Sequence, residues 1–151
     1  MQIPREWQEF IELLNSNEVE YLIVGAMALA CYGRPRYTGD IDIFIAATQE
    51  NGKRMQQALK AFGFSSLGLD EFDFTAPNQV IQLGYPPLRI DILTSLTGID
   101  FGFAWARRKL VIVQGVTLPI LDKSDLIQNK RMLGRLQDLA DLQSLTSTEP
   151  E

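Results

Sequence analysis

The sequence predicts an α+β fold, a mixed central sheet flanked by helices and finished by two C-terminal helices. Three observations carry this. Residues 21–33 run from an apolar strand through a glycine into a helix. The segments DIDIFI (40–45) and LRIDIL (88–93) alternate between isoleucine and charge with the two-residue period of a strand. The chain after Lys123 changes to helical spacing and holds it to residue 145.

Each element has its own signal. Residues 4–15 fit a helix, with Pro4 in the first turn, where a missing N–H costs nothing, and Trp7, Phe10, Ile11 and Leu14 on one stripe. Tyr21–Val24 is a short buried strand, and Gly25 opens a helix expected to reach Gly33, a residue suited to the left-handed cap. After the basic turn Arg34-Pro35-Arg36 comes the strand bearing Asp40 and Asp42, then a helix over 52–62 with Met55, Ala58, Leu59 and Phe62 inward and Gly63 as its stop. Val80–Leu83 and 88–93 make an antiparallel pair, and Lys109–Val113 with Val116–Ile120 make a hairpin around Gln114-Gly115. A short helix is expected over 99–108 between them. Helices over 124–133 and 135–145, separated by Gly134, end a single domain of residues 1–145, and 146–151 read as a disordered tail.

Bulk composition narrows the function. The 151-residue chain has a net charge of −5, which argues against a broad basic surface for coating nucleic acid. It contains no histidine, so Ser-His-Asp and Cys-His hydrolysis, imidazole-built zinc sites and histidine general bases are excluded. Any chemistry falls to carboxylates and metals. Its single cysteine, Cys31, cannot form an internal disulfide, which fits a cytoplasmic location. The charges at Arg5 and Glu6 argue against a signal peptide, and the apolar run over 21–32 is too short for a membrane span.

The candidate chemistry begins with Asp40 and Asp42, which share one face of a strand with their Cα atoms roughly 7 Å apart. Like charges that close on a partly buried sheet raise each other's pKa, and keeping both ionised calls for a cation. Asp91, in the same grammar on a second strand, offers a third acid. Three oxygen ligands of this kind suit magnesium, which takes one or two carboxylates together with substrate phosphates. The bland alternative pairs Asp91 with Arg89 or Arg36 as a structural salt bridge.

Other groups extend the pattern. The unpaired N–H groups at Gly25 and Ala26 could cradle a phosphate, although a glycine there also serves simply as a tight turn. Arg36 stands in the approach to the acids, where a guanidinium grips phosphate or neutralises carboxylates. Laid out at roughly 100° per residue, Lys130 and Asp138 fall inside the apolar arcs of the last two helices, so they either bridge one another or point into a common cleft. Arg131, Arg135 and Asp141 fall at or beyond the edges of those arcs, where solvated charge is the default.

These residues together resemble the polymerase-beta-like nucleotidyltransferase superfamily, in particular its minimal stand-alone branch related to the nucleotidyltransferases of toxin–antitoxin pairs. The likeness covers most of the chain. It rests on Gly25-Ala26 at a helix start, Asp40 with Asp42 on the next strand, and Asp91 on a later one. Two further strings match: Arg36, Thr38, Asp40 and Asp42 in RYTGDID, and Lys130, Arg135, Asp138 and Asp141 in the final helices. Ala26 departs from the pattern, which has a second glycine or a serine there.

The resemblance implies a nucleotidyltransferase-like fold and transfer of a nucleoside monophosphate from an NTP to an acceptor hydroxyl on a tRNA, a protein or a small molecule. It implies Asp40, Asp42 and Asp91 as catalytic residues and ligands of two Mg2+ ions, with Mn2+ as a substitute. Gly25, Ala26, Arg36 and Lys130 would bind the nucleotide. An antitoxin partner or a homo-oligomer, and no membrane, complete the expectation. The competing readings are a non-catalytic nucleotide- or partner-binding module of the same fold and, ranked lower, a metal-dependent glycosyltransferase.

Overall fold

In the computed structural model, residues 2–33, 39–64, 68–85 and 87–147 are described. The helices are α1 (Arg5–Ser16), α2 (Gly25–Cys31), α3 (Gln49–Phe62), α4 (Phe101–Ala106), α5 (Lys123–Leu133) and α6 (Leu136–Ser147). The strands are β1 (Tyr21–Val24), β2 (Asp40–Ile45), β3 (Val80–Leu83), β4 (Arg89–Leu93), β5 (Lys109–Val113) and β6 (Val116–Ile120). They form one mixed sheet in the order β3-β4-β2-β1-β6-β5. The β2–β4 and β1–β6 pairs are parallel, and β1–β2, β3–β4 and β5–β6 are antiparallel. The α+β class, the mixed sheet and the two closing helices are as the sequence predicts.

Alternation along β2 divides the sheet into two chemically distinct faces. Ile41, Ile43 and Ile45 are fully buried on one, level with Tyr21 and Ile23 of β1 and with Ile90 and Ile92 of β4. This is the side of α1, since the Tyr21 hydroxyl donates to Asn15 Oδ1 at 2.6 Å, and Trp7, Phe10, Ile11 and Leu14 of that helix are buried. Burial of these side chains supplies the main driving force for the fold, at about 1.5–3 kcal/mol for each large one. On the other face stand Asp40, Asp42 and Phe44, and the Phe44 ring meets Phe101 of α4 edge-on at 5.1 Å.

Several boundaries differ from the sequence reading. Helix α3 starts at Gln49 rather than 52, because Thr48 caps it by accepting from the Asn51 N–H. Gly52 therefore has a different role from opening the helix. A Cβ there would lie 2.5 Å from the Glu71 carbonyl oxygen, so a bare backbone is needed under the 3-10 turn Glu71–Phe74, which the sequence reading missed. Helix α4 is shorter than 99–108 because Asp100 caps it through the Phe103 N–H. Helix α6 continues to Ser147, two residues into the expected tail. No helix among the described residues is long and apolar enough to cross a membrane.

Asn51 joins the start of α3 to the sheet. It is 1% exposed, its Oδ1 accepts from the Glu20 N–H at 2.8 Å, and its Nδ2 donates to the carbonyls of Glu20 and Ala46 at 3.0 and 2.9 Å. Asn51→Ala would leave the Glu20 N–H and the Ala46 carbonyl without the amide, while the Glu20 carbonyl keeps the Ala46 N–H, and the expected loss of about 2–3 kcal/mol is readable from the midpoint of urea denaturation. A loss under about 0.5 kcal/mol would mean that water replaces the amide without penalty.

Candidate active site

Strand pairing assembles the three acids. In the parallel β2–β4 ladder Asp42 stands directly beside Asp91 and Asp40 beside Arg89, while in the antiparallel β1–β2 ladder Val24 stands beside Asp42. Residues paired in this way share a face. Carboxylate oxygens of Asp40, Asp42 and Asp91 accordingly lie within 4.8 Å of one another. Asp91 is 6% exposed, and the other two are half-buried.

Asp91 joins the acid cluster and at the same time makes the ion pair with Arg89 that the bland alternative named. That guanidinium donates from Nε to Asp91 Oδ1 at 3.0 Å and from Nη2 to Asp91 Oδ2 at 3.2 Å and Asp40 Oδ2 at 2.8 Å. Asp42 is left to share a hydrogen bond with Asp91. Burial first, then the charges of Asp40 and Asp91, push its carboxyl from the ordinary 3.8 up to about 7, with Arg89 opposing. Three carboxylates gathered this closely, one of them retaining a proton near neutrality, are a donor set suited to a hard divalent ion.

This electrostatic strain has a pH signature. A carboxyl whose pKa is raised by folding contributes stability that is fully present below its unfolded value and is lost as pH rises through its folded value, here between about 4 and about 7. In chelator, the melting temperature of the protein should therefore fall by several degrees between about pH 5 and about pH 8. Asp42→Asn, which cannot ionise at this position, should flatten that slope, and equal slopes in the two proteins would refute the assignment. Asp138 acts in the opposite sense and only at lower pH. Its hydrogen bond from Arg135 holds its carboxyl below the usual range despite burial.

A cleft of about 730 Å3 opens over Asp40 and Asp42, with Asp91 behind them and outside its lining. Its lining includes Val24, Gly25 and Ala26 on one side, Asp40 and Asp42 at the base, and Ser95, Leu96 and Thr97 with residues of α5 and α6 on the other. Gly25 has φ +67°, and a Cβ there would overlap Asp42 Oδ2 and lie 3.2 Å from Asp42 Cβ, so its lack of a side chain makes room for the carboxylate. Helix α5 is held over the cleft by the Arg107–Asp125 ion pair at 2.6 Å and by Asn129 Nδ2 donating to the Thr97 carbonyl at 2.9 Å.

Lys130 and Asp138 both bridge one another and line the cleft. Lys130 is 6% exposed, with Nζ 3.4 Å from Asp138 Oδ1 and 3.1 Å from Asp141 Oδ2. Asp141 corrects the expectation of a solvated charge, being 3% exposed and accepting also from Gln137 Nε2 at 2.8 Å. Its spacing of three from Asp138 places both carboxylates on one side of α6, facing Lys130. Arg135 is exposed, as its position suggests, yet paired through Nε to Asp138 Oδ2 at 2.6 Å. Arg36, with Arg34 and Thr38, lies outside the described residues. Asn129 and the 95–97 loop escaped sequence reasoning, because Ser95, Leu96, Thr97 and Asn129 carry no charge or spacing that marks a site.

No protein-family model matches this sequence, and no curated protein matches it. Among solved structures, a Thermotoga maritima protein provisionally assigned as a nucleotidyltransferase superposes with a TM-score of 0.63, covering 99% of this chain and 97% of its own at 16% identity. An antigenic nucleotidyltransferase-like protein of Paracoccidioides brasiliensis superposes with a TM-score of 0.55, covering 93% of this chain and 73% of its own at 17% identity. The architecture is that of a nucleotidyltransferase-like fold.

Proposed function

We propose that this protein is a magnesium-dependent nucleotidyltransferase that moves the nucleoside monophosphate of an NTP onto an acceptor hydroxyl. The observation that carries the reading is the meeting of Asp40, Asp42 and Asp91 within 4.8 Å, the first two of them lining a cleft of about 730 Å3. Asp40, Asp42 and Asp91 would hold the metal, with Mn2+ as a substitute. When bound, it supplies charge neutralisation for the triphosphate and acidifies the acceptor hydroxyl.

The chain's own groups divide the remaining work. Gly25 and Ala26, which line the cleft and carry no side chain larger than a methyl, are the backbone proposed to meet the phosphates, beside the Asp42 carboxylate that packs against Gly25. Lys130 adds a cation at the cleft wall, tempered by its two carboxylate partners, and Arg36, in the basic Arg34-Pro35-Arg36 segment of the sequence, is the candidate phosphate ligand. Asp91, the most buried of the acids, is the acid proposed to take the acceptor's proton. The acceptor class, a tRNA, a protein or a small molecule, and an antitoxin-like partner belong to the same proposal. So does the cytoplasmic setting that a lone cysteine fits.

A second reading, a non-catalytic nucleotide-binding module, draws on one specific contact, the neutralisation of Asp40 and Asp91 by Arg89. The deciding experiment incubates the protein and Asp42→Asn with each α-labelled NTP, magnesium and cell extract. Label transferred by the parent and lost in the variant establishes the enzyme. Equal labelling by both proteins, or labelling by neither, removes it.

A further inference from the structure

Arg89 sets a positive charge on two of the three clustered acids. Its guanidinium donates to one oxygen of Asp40 and to both oxygens of Asp91, the two carboxylates that flank it on the shared face of β2 and β4. The three partners are not equally free to move. Asp91 is short, on an interior strand and 9% exposed at its side chain, whereas the Arg89 side chain is 32% exposed and sits on a long flexible stem at the first residue of β4. A divalent ion and a guanidinium attracted to the same oxygens repel each other strongly at such separations.

We propose that Arg89 is a displaceable counter-ion, holding Asp40 and Asp91 together until a divalent ion takes over their oxygens and the guanidinium swings out towards solvent. This rests on the metal-binding reading of the acid cluster. Arg89 therefore sets the affinity of the site: metal binds only as tightly as the exchange of one cation for another allows. A purely structural arginine would leave metal affinity unchanged or, through loosened carboxylates, lower it.

The test is a calorimetric Mn2+ titration of the full chain and its Arg89→Met and Arg89→Lys variants at about pH 8, where protons compete little with the metal for the carboxylates. Neither nucleotide nor turnover is involved. Arg89→Met is expected to bind Mn2+ at least about tenfold more tightly than the parent. Its metal-free melting temperature should fall below the parent's and recover when Mn2+ is added. Equal or weaker binding by Arg89→Met, against a measurable parent, overturns the exchange and leaves the metal reading standing. Binding by no protein of the set removes both. If Arg89→Met does not fold, Arg89→Lys decides, because a single ammonium cannot reproduce the three-bond span: a several-fold gain supports the exchange, and no gain overturns it.

Discussion

Asp42→Asn should yield a folded protein that has lost nucleotidyl transfer by about three orders of magnitude, equivalent to about 4 kcal/mol of transition-state stabilisation, yet melts at a higher temperature than the parent in chelator above neutrality. Both halves follow from one cause. The carboxyl at this position is pushed up to about 7 by burial and by its two acidic neighbours, so its ionised form is disfavoured by the folded chain. The amide keeps the shape and can donate to Asp91 as the protonated acid does, but it offers no charge to a divalent ion. Mn2+ should accordingly stabilise the parent against heat and leave Asp42→Asn unmoved. A variant that melts lower than the parent under these conditions, with intact metal binding, would contradict the assignment of Asp42 as the strained member of the cluster.

Gly25→Ala should be the most damaging single-methyl change in the cleft. The backbone there has φ +67°, which costs an L-residue about 1–2 kcal/mol, and the new Cβ would overlap the Asp42 carboxylate and crowd Asp42 Cβ. Because the obstruction reaches the root of a short side chain as well as its tip, rotation of the carboxylate cannot remove it. We expect a loss of about 2–4 kcal/mol in stability together with loss of metal binding. A double-mutant cycle separates the two causes. In an Asp42→Gly background the same substitution should cost only the backbone contribution, so the two changes should couple by about 1 kcal/mol or more. Strict additivity would show that φ alone makes glycine necessary.

The acids were legible because period-two alternation is a strong signal: once DIDIFI and LRIDIL are strands, Asp40, Asp42 and Asp91 each fall opposite the isoleucines. Which strands are neighbours is a long-range property, and only the parallel pairing of β2 with β4 brings Asp42 and Asp91 level. Asp141 was misjudged for a related reason. A helical wheel ranks residues by their angle from the apolar arc, and it has no knowledge of the Lys130 ammonium facing that edge from the helix before. The Thr48 cap is a local signal, three residues from Asn51, that the helix start placed at 52 passed over, whereas the Asn51 bridge to Glu20 spans 31 residues and depends on how the strands are arranged. Arg89 was visible as a partner for Asp91, but its simultaneous grip on Asp40 needed the strand register.

That register has an evolutionary corollary. Residues 46–88, which connect the two acid-bearing strands, can gain or lose length by insertion or deletion without separating the acids, provided β4 docks at the same step. A single-residue deletion inside β4 itself would turn Asp91 into the isoleucine layer and an isoleucine into the cleft. What holds the three acids together is the parity of one ladder and not the number of residues between them.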